Sequence, residues 1–130
     1  IRAETYDLIV VNFANPDMVG HTGNLAAAIA ACEAVDTGIG ALDEALDAVD
    51  GPPLLTADHG NCETMVDPET GGPHTAHTLN PVPLILVGGP PGATLRPGGR
   101  LGDLAPSVLD LMGLKPPTEM TGVSLIQRGG

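Results

Sequence analysis

The chain has 130 residues, enough for one domain with a real core. Sixteen Asp and Glu against five Lys and Arg leave a formal charge of −11. That balance argues against a nucleic-acid backbone or an anionic membrane surface as partner, and it is compatible with bound divalent cations. Two cysteines, Cys32 and Cys62, are too few for a disulfide scaffold, and neither a secretory leader nor an 18-residue apolar span is apparent. The expected compartment is the cytoplasm.

Tyr6 to Phe13 (YDLIVVNF) is a short, β-branched apolar run, which predicts a strand buried on both faces. Ala14-Asn15-Pro16-Asp17 reads as the turn that ends it. Leu25, Ile29, Cys32, Val35, Ile39, Leu42, Leu46 and Val49 then recur at helical spacing and predict one long amphipathic helix. Thr22 or Asn24 can cap its start, Gly51-Pro52 stops it, and Gly38 and Gly40 invite a kink. Pro53 to Ala57 reads as the next strand. Residues 60–80 carry no period and many turn formers, the pattern of a long ordered loop of functional use. Val82 to Val87 (VPLILV) predicts a third buried strand. The Gly/Pro-rich stretch 88–99 follows, and then a helix over Asp103 to Met112 with Asp103 as its N-cap and Gly113 at its end.

This order predicts an α/β domain with helices on both faces of a mainly parallel sheet, in which ligands collect at the carboxyl ends of the strands. The chemistry-bearing residues fall there. Asp17 and His21 follow the first predicted strand, Asp58 and His59 the second, and His74 and His77 lie in the loop before the third. All four histidines of the chain thus fall at one edge. Imidazoles mixed with carboxylates suit borderline ions such as Mn²⁺, Zn²⁺ or Co²⁺, and their number exceeds what one tetrahedral site needs. Two partly coordinated metals, as used to clamp phosphoryl oxygens, would account for it. A polar cluster around a loop is the competing reading. Cys62, close to the Asp-His pair, is expected to be a free thiol rather than a soft ligand.

Three stretches go further than spacing. NFANPDMVGHTG (Asn12 to Gly23), TADHGN (Thr56 to Asn61) and TAHT followed by NPVPLILVG (Thr75 to Gly88) resemble the C-terminal part of the cofactor-independent phosphoglycerate mutases, in the alkaline phosphatase superfamily. The later GGRLGDLAPSVLDLMGL and PTEMTG segments extend the resemblance over nearly the whole chain. The resemblance implies an alkaline phosphatase-like, three-layer α/β fold. It also implies that Asp17, His21 and His77 correspond to the ligands of one Mn²⁺, and Asp58 and His59 to ligands of a second; Zn, Co or Mg are the other ions considered. His74 falls outside the matching positions, and Asn61 and Glu63 lie beside them without a ligand role.

In that family a serine takes the phosphoryl group of 3-phosphoglycerate and returns it to give 2-phosphoglycerate. The serine, a further metal-binding Asp and an inserted basic substrate domain belong to parts of the family's sequence that have no counterpart here. Residues 1–130 are therefore expected to be a metal-binding portion of the phosphatase-like domain, with no catalytic residue of their own and no activity alone. Ser107 and Ser124 match no nucleophile motif. The complete enzyme is expected to be a monomer acting on a small phosphoglycerate, with no nucleic-acid or membrane partner. A related phosphomutase or hydrolase, or a metal-binding module without catalysis, are the alternatives.

Overall fold

We describe Ile1–Gly129 in a computed structural model. The described residues form two compact units, one from residues 1–49 with 57–82, the other from residues 50–56 with the chain from 83 on.

In the first unit, Tyr6 to Phe13 forms neither strand nor helix, and the chain bends at Asp7. This run pairs with no other described segment, and Tyr6 and Val10 are 75% and 86% exposed. The composition reported suitability for a sheet surface, but a strand exists only where a neighbour supplies ladder partners. Helix α1 (Asn15–Gly20) begins inside the stretch read as a turn, since Pro16 lies in its first turn, where no N–H is needed. Helix α2 (Leu25–Asp47) is capped by Asn24, whose side chain accepts the Ala27 N–H at 3.0 Å. It runs unbroken through both glycines. The ring of Phe13 lies 3.0 Å from where a Cβ on residue 38 would stand, so Gly38 is a seat for that ring and not a hinge. Helices α1 and α2 pack together, with Gly20, Ala28 and Ala31 buried.

One sequence expectation needs correction here. Over an 18-residue window α2 is long and apolar enough, by length and composition, to cross a membrane. Its alanines raise the average, while Glu33 and Asp36 sit inside the helix, where hydrocarbon would penalise them.

The long loop is ordered by its own hydrogen bonds. Gly60 bridges Thr78 and Val66 bridges Pro73, both antiparallel. Asp67 Oδ1 accepts the N–H groups of Glu69 and Thr70 at 2.9 and 2.8 Å, an Asx-type turn at the loop's tip.

In the second unit, β1 (Leu54–Thr56) pairs with β2 (Leu84–Leu86), Leu55 facing Ile85. The pairing is antiparallel, against the expectation of parallel neighbours. The connection from β1 to β2 contains no crossover helix, and parallel pairing requires a crossover. A second antiparallel pair, β3 (Ala93–Leu95) with β4 (Ile126–Arg128), was not expected at all. Helix α3 (Leu104–Leu111) follows a 3₁₀ turn over Leu101–Asp103. Asp103 does not cap α3 with its side chain. Its carboxylate instead accepts the Arg100 N–H at 3.0 Å and the Val123 N–H at 2.9 Å, tying the 3₁₀ turn to the segment before β4. The fully buried Ser107 does the same one turn on, donating to the Asp103 carbonyl at 2.7 Å and accepting the Leu125 N–H at 2.8 Å.

Candidate metal centre

Asp17 and His21 are four residues apart on α1, so both side chains project from one face. The loop brings His59 and His77 to the same place, all within the first unit. Asp17 Oδ1 lies 2.9 Å from His77 Nε2, 3.2 Å from His21 Nε2 and 3.9 Å from His59 Nε2. The His59 and His77 rings stack with centroids 3.7 Å apart. Ligand atoms of Asp17, His59 and His77 all lie within 4.8 Å of one another. Asp58 stays at the rim, 78% exposed, its Oδ2 3.7 Å from His59 Nε2. His74 is elsewhere in the loop, its main-chain N–H on the Met65 carbonyl.

The protons decide what the cluster can do. His21 Nδ1 is 2.7 Å from the carbonyl oxygen of Thr75, which can only accept, so Nδ1 carries a proton and it is Nε2 that faces the cluster, available as a lone pair in the Nδ1–H form of the neutral ring. His21 Nε2 lies 3.2 Å from Asp17 Oδ1 and 3.1 Å from His77 Nε2. A carboxylate oxygen and imidazole nitrogens gathered this closely are held together by a shared proton or by a cation between them. A histidine whose outer nitrogen donates to a backbone carbonyl while its inner nitrogen faces a carboxylate is arranged as metal-binding histidines are. The donor set, imidazole nitrogen with carboxylate oxygen, fits a borderline divalent ion.

Two neighbours hold the cluster in shape and were not assigned a role from sequence. Asn61, 5% exposed, donates its side-chain amide to Asp17 Oδ1 at 2.9 Å and to the Asp17 carbonyl at 3.3 Å. This amide is the main reason the Asp17 carboxyl lies below the usual aspartate range, with the adjacent imidazoles adding to it. Glu63 accepts from the hydroxyl of Thr78, next to His77 in the chain, and from Asn80 Nδ2, and the Thr78 bond holds its carboxyl down. Nothing in the sequence distinguished Asn61 or Glu63 from ordinary loop polar residues except adjacency to Asp58 and His59. Cys62 is a free thiol that donates to the Pro16 carbonyl at 2.8 Å, and burial pushes its pKa up.

Comparison with known proteins adds relatives of one kind. Residues 1–116 match the sequence profile described as the metalloenzyme superfamily. The chain is 71% identical over 124 residues to a 2,3-bisphosphoglycerate-independent phosphoglycerate mutase of Cereibacter sphaeroides, covering 95% of this chain and 24% of that protein. It is 72% identical over 122 residues to the enzyme of the same name from Dinoroseobacter shibae, again covering 24% of it. Among solved structures, a Leishmania mexicana phosphoglycerate mutase at low cobalt concentration superposes with a TM-score of 0.88 at 35% identity, over 98% of this chain and 26% of that one. The chain thus spans about a quarter of the length of the relatives it matches.

Proposed function

Since the chain belongs to the metalloenzyme superfamily, we propose that it is the metal-holding part of a cofactor-independent phosphoglycerate mutase. The reaction is the interconversion of 3-phosphoglycerate and 2-phosphoglycerate through a phosphoserine. The serine, one further carboxylate ligand and the groups that grip the substrate come from polypeptide outside these residues. In the complete enzyme the sheet is three-layered and mainly parallel, and the enzyme works as a cytoplasmic monomer with Mn²⁺, or with Zn²⁺, Co²⁺ or Mg²⁺. The relatives lend no support to a hydrolase or to a module without catalysis.

The single observation that carries this reading is the convergence of His21 Nε2 and His77 Nε2 on Asp17 Oδ1, with His21 Nδ1 turned outward onto the Thr75 carbonyl. The Thr75 carbonyl holds the proton on Nδ1, so Nε2 is free to coordinate beside Asp17 and His77. In the proposal Asp17, His21 and His77 hold one ion, and Asp58 with His59 contributes to a second. A bound divalent ion supplies charge stabilisation to phosphoryl oxygens and lowers the pKa of a coordinated hydroxyl. The chain's own residues do the positioning. Helix α1 fixes the spacing of Asp17 and His21, the Gly60–Thr78 bridge anchors His77, and the buried Asn61 amide orients the Asp17 carboxylate.

Titration calorimetry with Mn²⁺ tests the reading. Wild-type chain is expected to bind, and His77→Ala to bind at least about tenfold more weakly, on the scale of changes to metal-site residues. Affinity should also fall with pH, because coordinating groups must be deprotonated. Equal Mn²⁺ affinity in wild type and His77→Ala would sink the assignment.

A further inference from the structure

Asn61, beside the cluster, has a side chain that is nearly inaccessible and yet incompletely satisfied. Its amide nitrogen faces two acceptors, the Asp17 carboxylate and the Asp17 carbonyl, so no other orientation of the amide is chemically possible. The consequence is a buried Oδ1 with no hydrogen-bond partner. An unsatisfied buried acceptor costs free energy, and native structures keep few of them. The compensating gain has to lie in what the other end of the amide does.

That end does something specific. By bonding both Oδ1 and the main-chain carbonyl of Asp17, it fixes the carboxylate's torsion relative to α1. It supplies a donor without supplying charge. A Lys or Arg would hold the carboxylate equally well but would repel a cation a few ångströms away. Gly20 makes the arrangement possible. A Cβ at residue 20 would fall on Asn61 Oδ1, lie 2.7 Å from its Cγ and come 3.1 Å from Cys62 Sγ. One helical turn of α1 therefore carries Asp17 and the space for the amide that orients it.

We propose that Asn61 is a positioning residue for the metal centre, orienting Asp17 for coordination, and that Gly20 is required because it leaves room for the Asn61 amide. The proposal rests on the metal-centre reading above and deepens it, assigning a role to two residues that coordinate nothing.

Asn61→Leu keeps the branched outline at Cγ and removes the donor, Asn61→Ala removes both, and Gly20→Ala displaces the amide without removing any polar group. Each is titrated with Mn²⁺, and each Co²⁺ form is recorded in the visible range, where band position and intensity report coordination geometry. The expected result is a 10- to 100-fold weaker Mn²⁺ affinity, roughly the loss seen when groups that orient metal ligands are removed, together with a changed Co²⁺ spectrum. The double variant Gly20→Ala/Asn61→Ala is expected to bind no more weakly than Asn61→Ala alone, since the steric effect has lost its target.

Wild-type Mn²⁺ affinity and an unchanged Co²⁺ spectrum in the Asn61 variants would overturn the proposal. So would losses in the double variant that simply add. Circular dichroism checks the fold. If the Asn61 variants do not fold, Gly20→Ala reads the same coupling, and its wild-type affinity would equally overturn it. His77→Ala, measured alongside, separates the two readings. If His77→Ala loses Mn²⁺ and Asn61→Ala does not, only the positioning role fails. If neither loses it, the metal centre itself fails.

Discussion

At Asp17 one carboxylate oxygen receives an amide N–H and faces three imidazoles, and the chain shows elsewhere how much it asks of single aspartates. Asp103 is nearly buried and accepts two main-chain N–H groups, with Arg96 and Arg100 nearby at 3.7 and 3.9 Å. The Val123 N–H, the Arg100 N–H and the two guanidinium charges together hold its carboxyl below the ordinary value of 3.8. A carboxyl that is more acidic folded than unfolded contributes stability at pH values above its unfolded pKa and loses that contribution as pH falls through the folded one. The β3–β4 unit is therefore expected to be at full strength at pH 5 and to weaken below about pH 4, its unfolded value. Asp103→Asn should flatten that acid limb while lowering stability at neutral pH. Urea denaturation followed by circular dichroism from pH 3 to 7 checks it, and a wild-type acid limb in the variant would contradict the assignment.

Among the elements, α2 shows what glycine means in two different surroundings. At Gly40 no atom lies within 4 Å of an added Cβ, whereas at Gly38 the Phe13 ring is 3.0 Å away. Gly40→Ala is expected to stabilise the chain by about 0.5–1 kcal/mol, the usual gain from removing helix-interior glycine. Gly38→Ala should fall clearly short of that, because Phe13 must shift. Chemical denaturation of the two variants decides it, and equal gains would mean that the Phe13 contact is inconsequential. The same elements show what was legible beforehand. The period of α2 and its Asn24 cap could be read directly, because a 3.6-residue stripe and an Asx cap are local signals. Phe13 packing on Gly38 could not, since it joins residues 25 apart. β3 and β4 are three residues each, flanked by glycine or proline, too short to show alternation. Antiparallel pairing of β1 and β2 depends on where the intervening loop leads, which composition does not encode.

For the whole chain, the gathering of imidazole and carboxylate side chains was more legible than the fold. Asp17, His21, His59 and His77 could be picked out as a group because few residue types do metal chemistry and these stand in short contiguous motifs. The main-chain carbonyl that holds His21 Nδ1 comes from a residue 54 positions away, and no side-chain code announces it. The two serines show why turnover is not expected from residues 1–130 alone. Ser107 is fully buried between two main-chain partners, and Ser124 donates to Asp110 Oδ2 at 2.6 Å. Losing a nucleophile alone lowers turnover by about 10⁶-fold in enzymes of covalent mechanism. A coupled assay converting 3-phosphoglycerate to 2-phosphoglycerate, run on the Mn²⁺-loaded chain, should therefore show none above background. Turnover on the usual enzymatic scale would mean that a nucleophile lies among these residues after all.

The exposed run from Tyr6 to Phe13 has one practical effect. Tyr6 is the chain's sole tyrosine, and tryptophan is absent. Intrinsic ultraviolet emission therefore originates from a ring that is 75% exposed and remote in sequence from α3, β4 and the loop of residues 60–80. A fluorescence melting curve would register little when those elements unfold, and a flat trace would say nothing about their stability. The same ring becomes a selective reporter for its own segment. An apolar surface laid over residues 6–13 would shield Tyr6 from a soluble quencher such as acrylamide, giving an optical readout of that event against a dark background.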